Sequence, residues 1–322
     1  MKRFVYLGLG VLLVVLLWSG AWFYLAGQVR EEVEKLASAD GVASPRLTCD
    51  GLDVSGFPFR FDIACSKAQI LSGDISAAVP EIRTSALVYN PTHIVASARG
   101  PATIANAFTG AQNSLAWSAL EGSLRLTDWR IGRLSIVGSN IVWSDTLVGE
   151  TLIAQSPHAE LHLIDMPERF DPQARIAALA GYATAKDLNG PNFGVEAGNL
   201  AVEAEVTGIP ADLALLGEAD ALQRWQQAGG EFNLVSLSGT DGENFVSASG
   251  QLALNEAGQL NGRMKINSRG IVERVQGMIP QQYQRLLLGE PAQDGSYSNT
   301  ITFAGGVVMA GLIPAGLIPP LF

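Results

Sequence analysis

The hydrophobic rhythm of the chain changes once, near its start. Phe4 to Ala26 is an unbroken uncharged run, and beyond it apolar and polar residues alternate in short stretches. A helix over the first run would cover roughly 30 Å, the thickness of a bilayer's hydrocarbon core. Lys2 and Arg3 precede the run, and Arg30-Glu31-Glu32-Val33-Glu34-Lys35 follows it with mixed charge. The positive-inside rule then places the N-terminus in the cytoplasm and the rest of the chain outside. Trp18, Trp22, Phe23 and Tyr24 gather at the outer end, as an interfacial aromatic belt would. A cleavable signal peptide is the competing reading, with Ser19-Gly20-Ala21 supplying small residues. The apolar run continues past that site, which favours an uncleaved anchor. Either reading exports the domain.

The later pattern predicts strands. In Asn199–Val206, Leu200, Val202, Ala204 and Val206 share one face while Glu203 and Glu205 take the other. Val246–Leu254 repeats the alternation, Asn255-Glu256-Ala257-Gly258 turns the chain, and Leu260, Gly262, Met264 and Ile266 resume it as an antiparallel hairpin. Further strands are expected over Gln69–Val79, Ile82–Tyr89, Ile94–Ala98, Ser123–Thr127, Trp129–Val137, Asn140–Trp143, Ala159–Ile164 and Glu231–Leu237. Ala174–Asp187 reads as helix or strand. Two short helices are expected, one near 212–227 with an apolar stripe of Leu215, Ala219, Leu222 and Trp225, the other near 271–288 and broken by Pro280. The Trp225 stripe suits core packing better than a partner. The uncharged tail Gly305–Phe322 holds too many Pro and Gly for a second span, so a strand over Thr300–Ala310 and an apolar tail lying on the sheet are expected. The organisation is thus 1–30 anchor, 31–190 first β-rich half, and 191–322 second β-rich half, divided at Asn189-Gly190-Pro191-Asn192. The fold class is mainly β (α+β): a transmembrane helix followed by an extended antiparallel-sheet exported region.

Composition narrows the chemistry. A net charge of −10 with scattered basic residues argues against nucleic acid. Cys49 and Cys65 are the only cysteines, and in an exported chain they suit one structural disulfide worth about 3 kcal/mol. Two cysteines without a neighbouring histidine do not make a zinc site. Directly opposed cysteines would set Asp53 against Phe61, whereas the hydrophobic pattern prefers Val54 against Phe61 and Leu52 against Ile63, with Phe57-Pro58 as the turn. A bulge at Gly51 or Gly56 would reconcile the two registers. Among the histidines, His93 stands alone, while His158, Glu160 and His162 project from one strand face at period two. That set could offer N/O/N ligands to a divalent metal, but a solvated polar face is the ordinary reading. No nucleophile elbow, phosphate loop or dinucleotide fingerprint occurs. A non-enzymatic protein without catalytic residues, metal or cofactor is expected.

Gly56-Phe57-Pro58-Phe59-Arg60, Tyr89-Asn90-Pro91 and Gly100-Pro101 resemble a bacterial envelope family known as domain of unknown function 2125. Gly250-Gln251-Leu252, Gly258, Leu260-Asn261-Gly262, Ile313-Pro314 and Leu317-Ile318-Pro319-Pro320-Leu321 extend the resemblance over nearly the whole chain. The resemblance implies an inner-membrane protein with a periplasmic bulk and no assigned activity; Gly56, Phe57, Pro58, Phe59 and Arg60 are read as a structural turn. A more distant similarity to AsmA-like envelope proteins implies a curved sheet that shelters lipid or guides envelope assembly. The expected partners are therefore the inner membrane through residues 4–26, a lipid or other apolar ligand, and an envelope protein. A purely structural partner-binding module is the alternative, and a metal-assisted hydrolase using His158 and His162 the less favoured one.

Overall fold

The computed structural model describes residues 2–42, 44–212, 215, 217–270 and 289–322. Helix α1 (Lys2–Ala37) contains no proline and closes on Lys35, whose ammonium meets Glu31 and Glu32 one turn back. Its mean hydropathy reaches 2.2, long and apolar enough to cross a membrane. It runs on beyond the apolar segment and lays its last turns on the sheet.

The sheet is a single antiparallel meander. β1 (Arg46–Thr48) and β2 (Gly51–Ser55) lie end to end along β3 (Arg60–Ser72), which pairs with β4 (Ile75–Leu87). β5 (Asn90–Arg99) and β6 (Ala102–Asn106) share the far side of β4. β7 (Gln112–Ala116) follows on β6, β8 (Ala119–Thr127) on β5, and both pair with β9 (Arg130–Asp145). From there each strand pairs with the next in sequence. They are β10 (Thr151–Asp165), β11 (Ile176–Gly190), β12 (Val195–Pro210), β13 (Glu231–Asp241), β14 (Asn244–Leu254), β15 (Leu260–Arg269), β16 (Ser296–Ala304), β17 (Val307–Ala310) and β18 (Ile313–Leu317). Hydrogen bonding continues without a break across residue 190.

A transverse crease crosses the first half of this sheet. At one height the ladder is interrupted at Cys49-Asp50, Lys67, Pro80, Gly100-Pro101, Trp117-Ser118, Asn140, Pro157 and Asp187-Leu188. Lys67, Asn140 and Asp187 take positive φ there, and the three prolines are tolerated because no ladder hydrogen bond is asked of them. Side chains replace the missing backbone bonds. Trp117 Nε1 donates to Ala98 O at 2.8 Å, Ser118 Oγ to Ser139 O at 3.1 Å, and the buried Ser156 Oγ reaches both His158 O and Lys186 O.

Little of the molecule is enclosed. Its accessible surface is 19197 Å², against about 12,800 Å² expected of a compact 34.0 kDa monomer. The projecting helix accounts for part of the excess, and a sheet with few fully buried side chains for the rest. Arg130 and Asp165 are an exception at the end of β9 and β10. Their side chains are each 7% exposed and 2.7 Å apart, and the guanidinium lies 4.1 Å over the Phe170 ring.

Several expectations change in detail. Gln69–Val79 is not one strand, because Gly73-Asp74 turns the chain between β3 and β4. Thr300–Ala310 divides likewise at Gly305-Gly306, both at positive φ. The tail is only partly a loose segment on the sheet: Ile313–Leu317 pairs with β17 as a further strand, where Pro314 is permitted, and the last residues fold back so that Leu321 N donates to Gly258 O at the β14–β15 turn. Of Ala174–Asp187, all but the turn residues Ala174 and Arg175 resolve as strand, in β11. Of the 212–227 stretch, helix α2 occupies Ala221–Gln227, with Trp225 Nε1 donating to Thr207 O. The expected helix near 271–288 lies outside the described residues.

Candidate functional site

Cross-strand partners in an antiparallel ladder point to the same face, so the registers above join residues of different strands into rows. One row runs Leu52, Cys65, Ile82, Ala98, Leu120, Gly138, Ala159, Ala185, Leu200, Gly239, Val246, Ser268 and Tyr297. A second begins Val54, Ile63, Thr84, Ala96 and Gly122, and continues through Ile136, Leu161, Ala183, Val202 and Leu237 to Ile266. A third runs from Phe61 through Ile94, Leu134, Leu163, Ala204, Leu234 and Met264 to Ile301, Ala310 and Ile313. At roughly 4.8 Å per strand the third row is about 60 Å long. Together the rows make one apolar track at right angles to the strands.

The track is half-open. A Cβ placed on Gly181 would meet only Leu163 and the backbone of its ladder neighbours, and one on Gly122 only Ala96 and Ser135 O. Most large side chains along the rows are half-buried, and Leu161 is 37% exposed. An apolar track of this length whose large side chains are mostly only half-buried is unusual.

The opposite face is polar, with rows such as Arg83, Ser97 and Glu121 continuing to Glu160 and Thr184. An open hollow of about 810 Å³ lies on it, where Arg60 pairs with Asp62 at 2.6 Å and Arg83 with Glu81 at 2.7 Å. His158, Glu160 and His162 sit here together. His162 Nδ1 lies 3.0 Å from Ser135 Oγ and its Nε2 3.2 Å from Glu160 Oε2, while His158 Nε2 is 3.8 Å from the same oxygen. Thr184 donates to Glu160 Oε1 at 3.2 Å. The His162 hydrogen bond, aided by Thr184 and the two imidazoles' charge, holds the Glu160 carboxyl below its ordinary range despite some desolvation. The cluster stitches β9, β10 and β11 side by side. Among the described residues no three His, Cys, Asp or Glu side chains are arranged around a metal position. His93 stands apart, 3.0 Å from Ser123 Oγ.

At the first edge the track meets α1. Cys49 and Cys65 are joined, with Cα atoms 5.3 Å apart. Neither expected register holds: Leu52 opposes Cys65, Val54 opposes Ile63 and Ser55 opposes Asp62. The cysteines are brought together by the crease, where Cys49-Asp50 lies across from Lys67-Ala68, not by a bulge at Gly51 or Gly56. Arg30, Val33, Glu34 and Ala37 of α1 border Leu47, Cys49 and Leu52. The turn Gly56-Phe57-Pro58-Phe59 is gripped lower on the helix. Trp22 stacks on Phe61 at 5.5 Å and meets Phe57 edge-on, and its Nε1 donates to Arg60 O at 3.1 Å. Trp18 Nε1 donates to Pro58 O at 3.0 Å, and Phe23 stacks on Phe57. Gly56 is at φ +99°, and a Cβ there would strike Arg60 O. The motif residues are thus the helix-docking corner of the sheet. The sequence revealed the motif and the helix separately; their contact carries no sequence signal beyond the tryptophans.

These features define a class, a single-sheet domain with one apolar face, joined at its first edge to an N-terminal helix able to anchor in a membrane. The chain belongs to the family described as an uncharacterised protein conserved in bacteria, domain of unknown function 2125, whose family model matches residues 22–319. No curated protein and no solved structure matches it.

Proposed function

We propose that this protein is anchored in the bacterial inner membrane with its N-terminus cytoplasmic and its sheet periplasmic, and that the sheet holds the hydrocarbon part of a lipid or similar apolar molecule. The continuous apolar track of about 60 Å, starting where α1 meets the sheet, carries this reading. A track that crosses the strands offers slots between rows to a flexible chain, and its small residues Gly122, Ala159, Gly181 and Ala183 leave room for one, whereas Gly138 is filled in by Ile141. The polar face keeps the other side wetted. No catalytic step is assigned; a sheltering role is what the distant sequence resemblance to AsmA-like proteins implies, and it is no more specific than that.

The test combines native mass spectrometry of the detergent-extracted protein with photocrosslinking. A benzoylphenylalanine at Leu163 is expected to label lipid, and one at Ser97 on the polar face is not. Absence of co-purified lipid, with equal labelling from both faces, would overturn the reading. A second reading, a partner-binding module, rests on the open outer strands: β1 with β2, and β18, each keep one side without a strand partner among the described residues. Crosslinking in intact cells from Gly316, recovering no neighbouring protein, would remove it.

A further inference from the structure

Four aromatic side chains remain exposed around the corner where the sheet meets α1. Phe57 is 47% and Phe59 60% exposed, Tyr24 on the helix 67%, and Tyr89 75%. Tyr89 belongs to the same corner because Val88 N, next to it, donates to Phe59 O at 2.9 Å. Two of the family's landmark segments, Gly56–Arg60 and Tyr89-Asn90-Pro91, therefore adjoin.

The height of this corner is fixed by α1. At 1.5 Å per residue, Trp22 lies about 6 Å and Trp18 about 12 Å below Ala26, the end of the apolar run. The Pro58 and Arg60 carbonyls are bonded to those two indoles. If Phe4–Ala26 fills the hydrocarbon core, the turn cannot stand clear of the membrane. Depths of about 6 and 12 Å along the axis place its bonded carbonyls in the outer leaflet's half of the core, and where the Trp18–Tyr24 belt marks the edge of the core the turn sits at that boundary. Its chemistry suits that depth. Two of its carbonyls are satisfied by indole N–H groups, as backbone near hydrocarbon requires. Its exposed side chains are aromatic, and Arg60 stands beside them where a guanidinium would meet phosphate.

We infer that the corner formed by Gly56–Arg60 and Tyr89 is seated in the interface of the same bilayer that α1 spans, in the leaflet at the C-terminal end of the span. This rests on α1 being the anchor proposed above. Its consequence is positional: Phe61, first in the third apolar row, stacks on Trp22 and is thereby held at lipid depth. The track opens directly onto acyl chains, and a molecule entering it from that leaflet need not cross water.

The full chain, reconstituted in vesicles of phosphatidylethanolamine and phosphatidylglycerol, tests this with nitroxide labels at single introduced cysteines, Cys49 and Cys65 being closed to labelling by their disulfide. Phe59→Cys reports the corner and Tyr89→Cys serves should that variant not fold. Leu13→Cys reports mid-span, and Asp74→Cys the exposed turn at the far end of β3. The expected result is a ratio of oxygen to nickel-chelate collision rates several-fold higher at Phe59 and Tyr89 than at Asp74, approaching that at Leu13. A lipid-exposed Leu13 with Phe59 and Tyr89 matching Asp74 overturns the inference and keeps the anchor. An aqueous Leu13 overturns the anchor itself. Labels at Phe59 and Tyr89 shielded from both reagents would mean a protein covers the corner, and also overturn the inference.

Discussion

Opening the Cys49–Cys65 bridge should loosen one edge of the sheet and leave the other untouched. The bridge spans a sequence separation of 16, and closing a loop of that size lowers the entropy of the unfolded chain by an amount worth about 3 kcal/mol. In a molecule with one shared core that loss would be felt everywhere. Here, among the described residues, β1 and β2 pair only with β3 and border α1, with Pro45 beside β1 also meeting Gly217 in the β12–α2 connection, and β13 to β16 lie many strands away along the sheet. The loss should therefore appear as local opening, as in repeat proteins whose units contact only their neighbours. Hydrogen exchange followed by mass spectrometry, on the oxidised protein and on Cys49→Ala/Cys65→Ala, measures it segment by segment. Amides in Arg46–Thr48 and Gly51–Ser55 should exchange faster by up to the order of a hundredfold. Those in Glu231–Asp241 and Leu260–Arg269 should not change. Equal acceleration at both ends would refute the reasoning by showing that the sheet unfolds as one unit. No change in Arg46–Ser55 would show that α1 and β3 already hold that edge without the bridge.

Three further outcomes are expected. Trp22→Ala removes the stack on Phe61, the edge contact with Phe57 and the bond to Arg60 O, at a cost of about 3–5 kcal/mol. It should speed proteolysis between α1 and β2, and a cleavage rate equal to wild type would show that the corner is not docked through this indole. Asp165→Ala leaves Arg130 buried with only the exposed Asp128 near it, costing about 3–5 kcal/mol, whereas Arg130→Met with Asp165→Leu should recover most of that loss in thermal melts. A double variant as unstable as the single one would contradict this. Glu160, whose carboxyl is lowered by the His162 hydrogen bond, stabilises the fold fully above its unfolded pKa near 4.5, and that contribution fades as pH falls through its lower folded value. Glu160→Gln should flatten the acid limb of a stability-against-pH curve, and an unchanged limb would show that the stitch carries no stability.

How much of this was legible in the sequence follows from what periodicity can encode. Alternation over Asn199–Val206 and Val246–Ile266 named three strands and their dry faces, because a strand's two faces are written directly at period two. The turn at Ser72-Gly73-Asp74 was legible in its residue types, and only the apolar residues on both sides of it let Gln69–Val79 read as one strand. The crease was legible only in pieces, as Pro80, Pro101 and Pro157 and the turn-prone Asn140 and Asp187, because nothing in the sequence says that these positions fall at one height on neighbouring strands. The docking corner was half legible, as an aromatic belt and a turn motif that nothing in the sequence joined. The apolar track was not legible at all, because it is a relation between strands and depends on every register at once.

β13 shows how that relation is kept. Its alternation fails at Leu234–Leu237, two leucines three residues apart that a regular strand would send to opposite faces. Val235 is an extra residue relative to both neighbouring strands, since Ala204 and Gly250 oppose Leu234 while Val202 and Ala248 oppose Leu237. The bulge absorbs the half-step, sends Val235 outward at 44% exposure, and returns both leucines to the apolar rows. A fold that needed only a local core could have let the face change there. Keeping it unchanged preserves a track from Phe61 to Ile313, and an uninterrupted apolar path is what a ligand moving along the sheet would require.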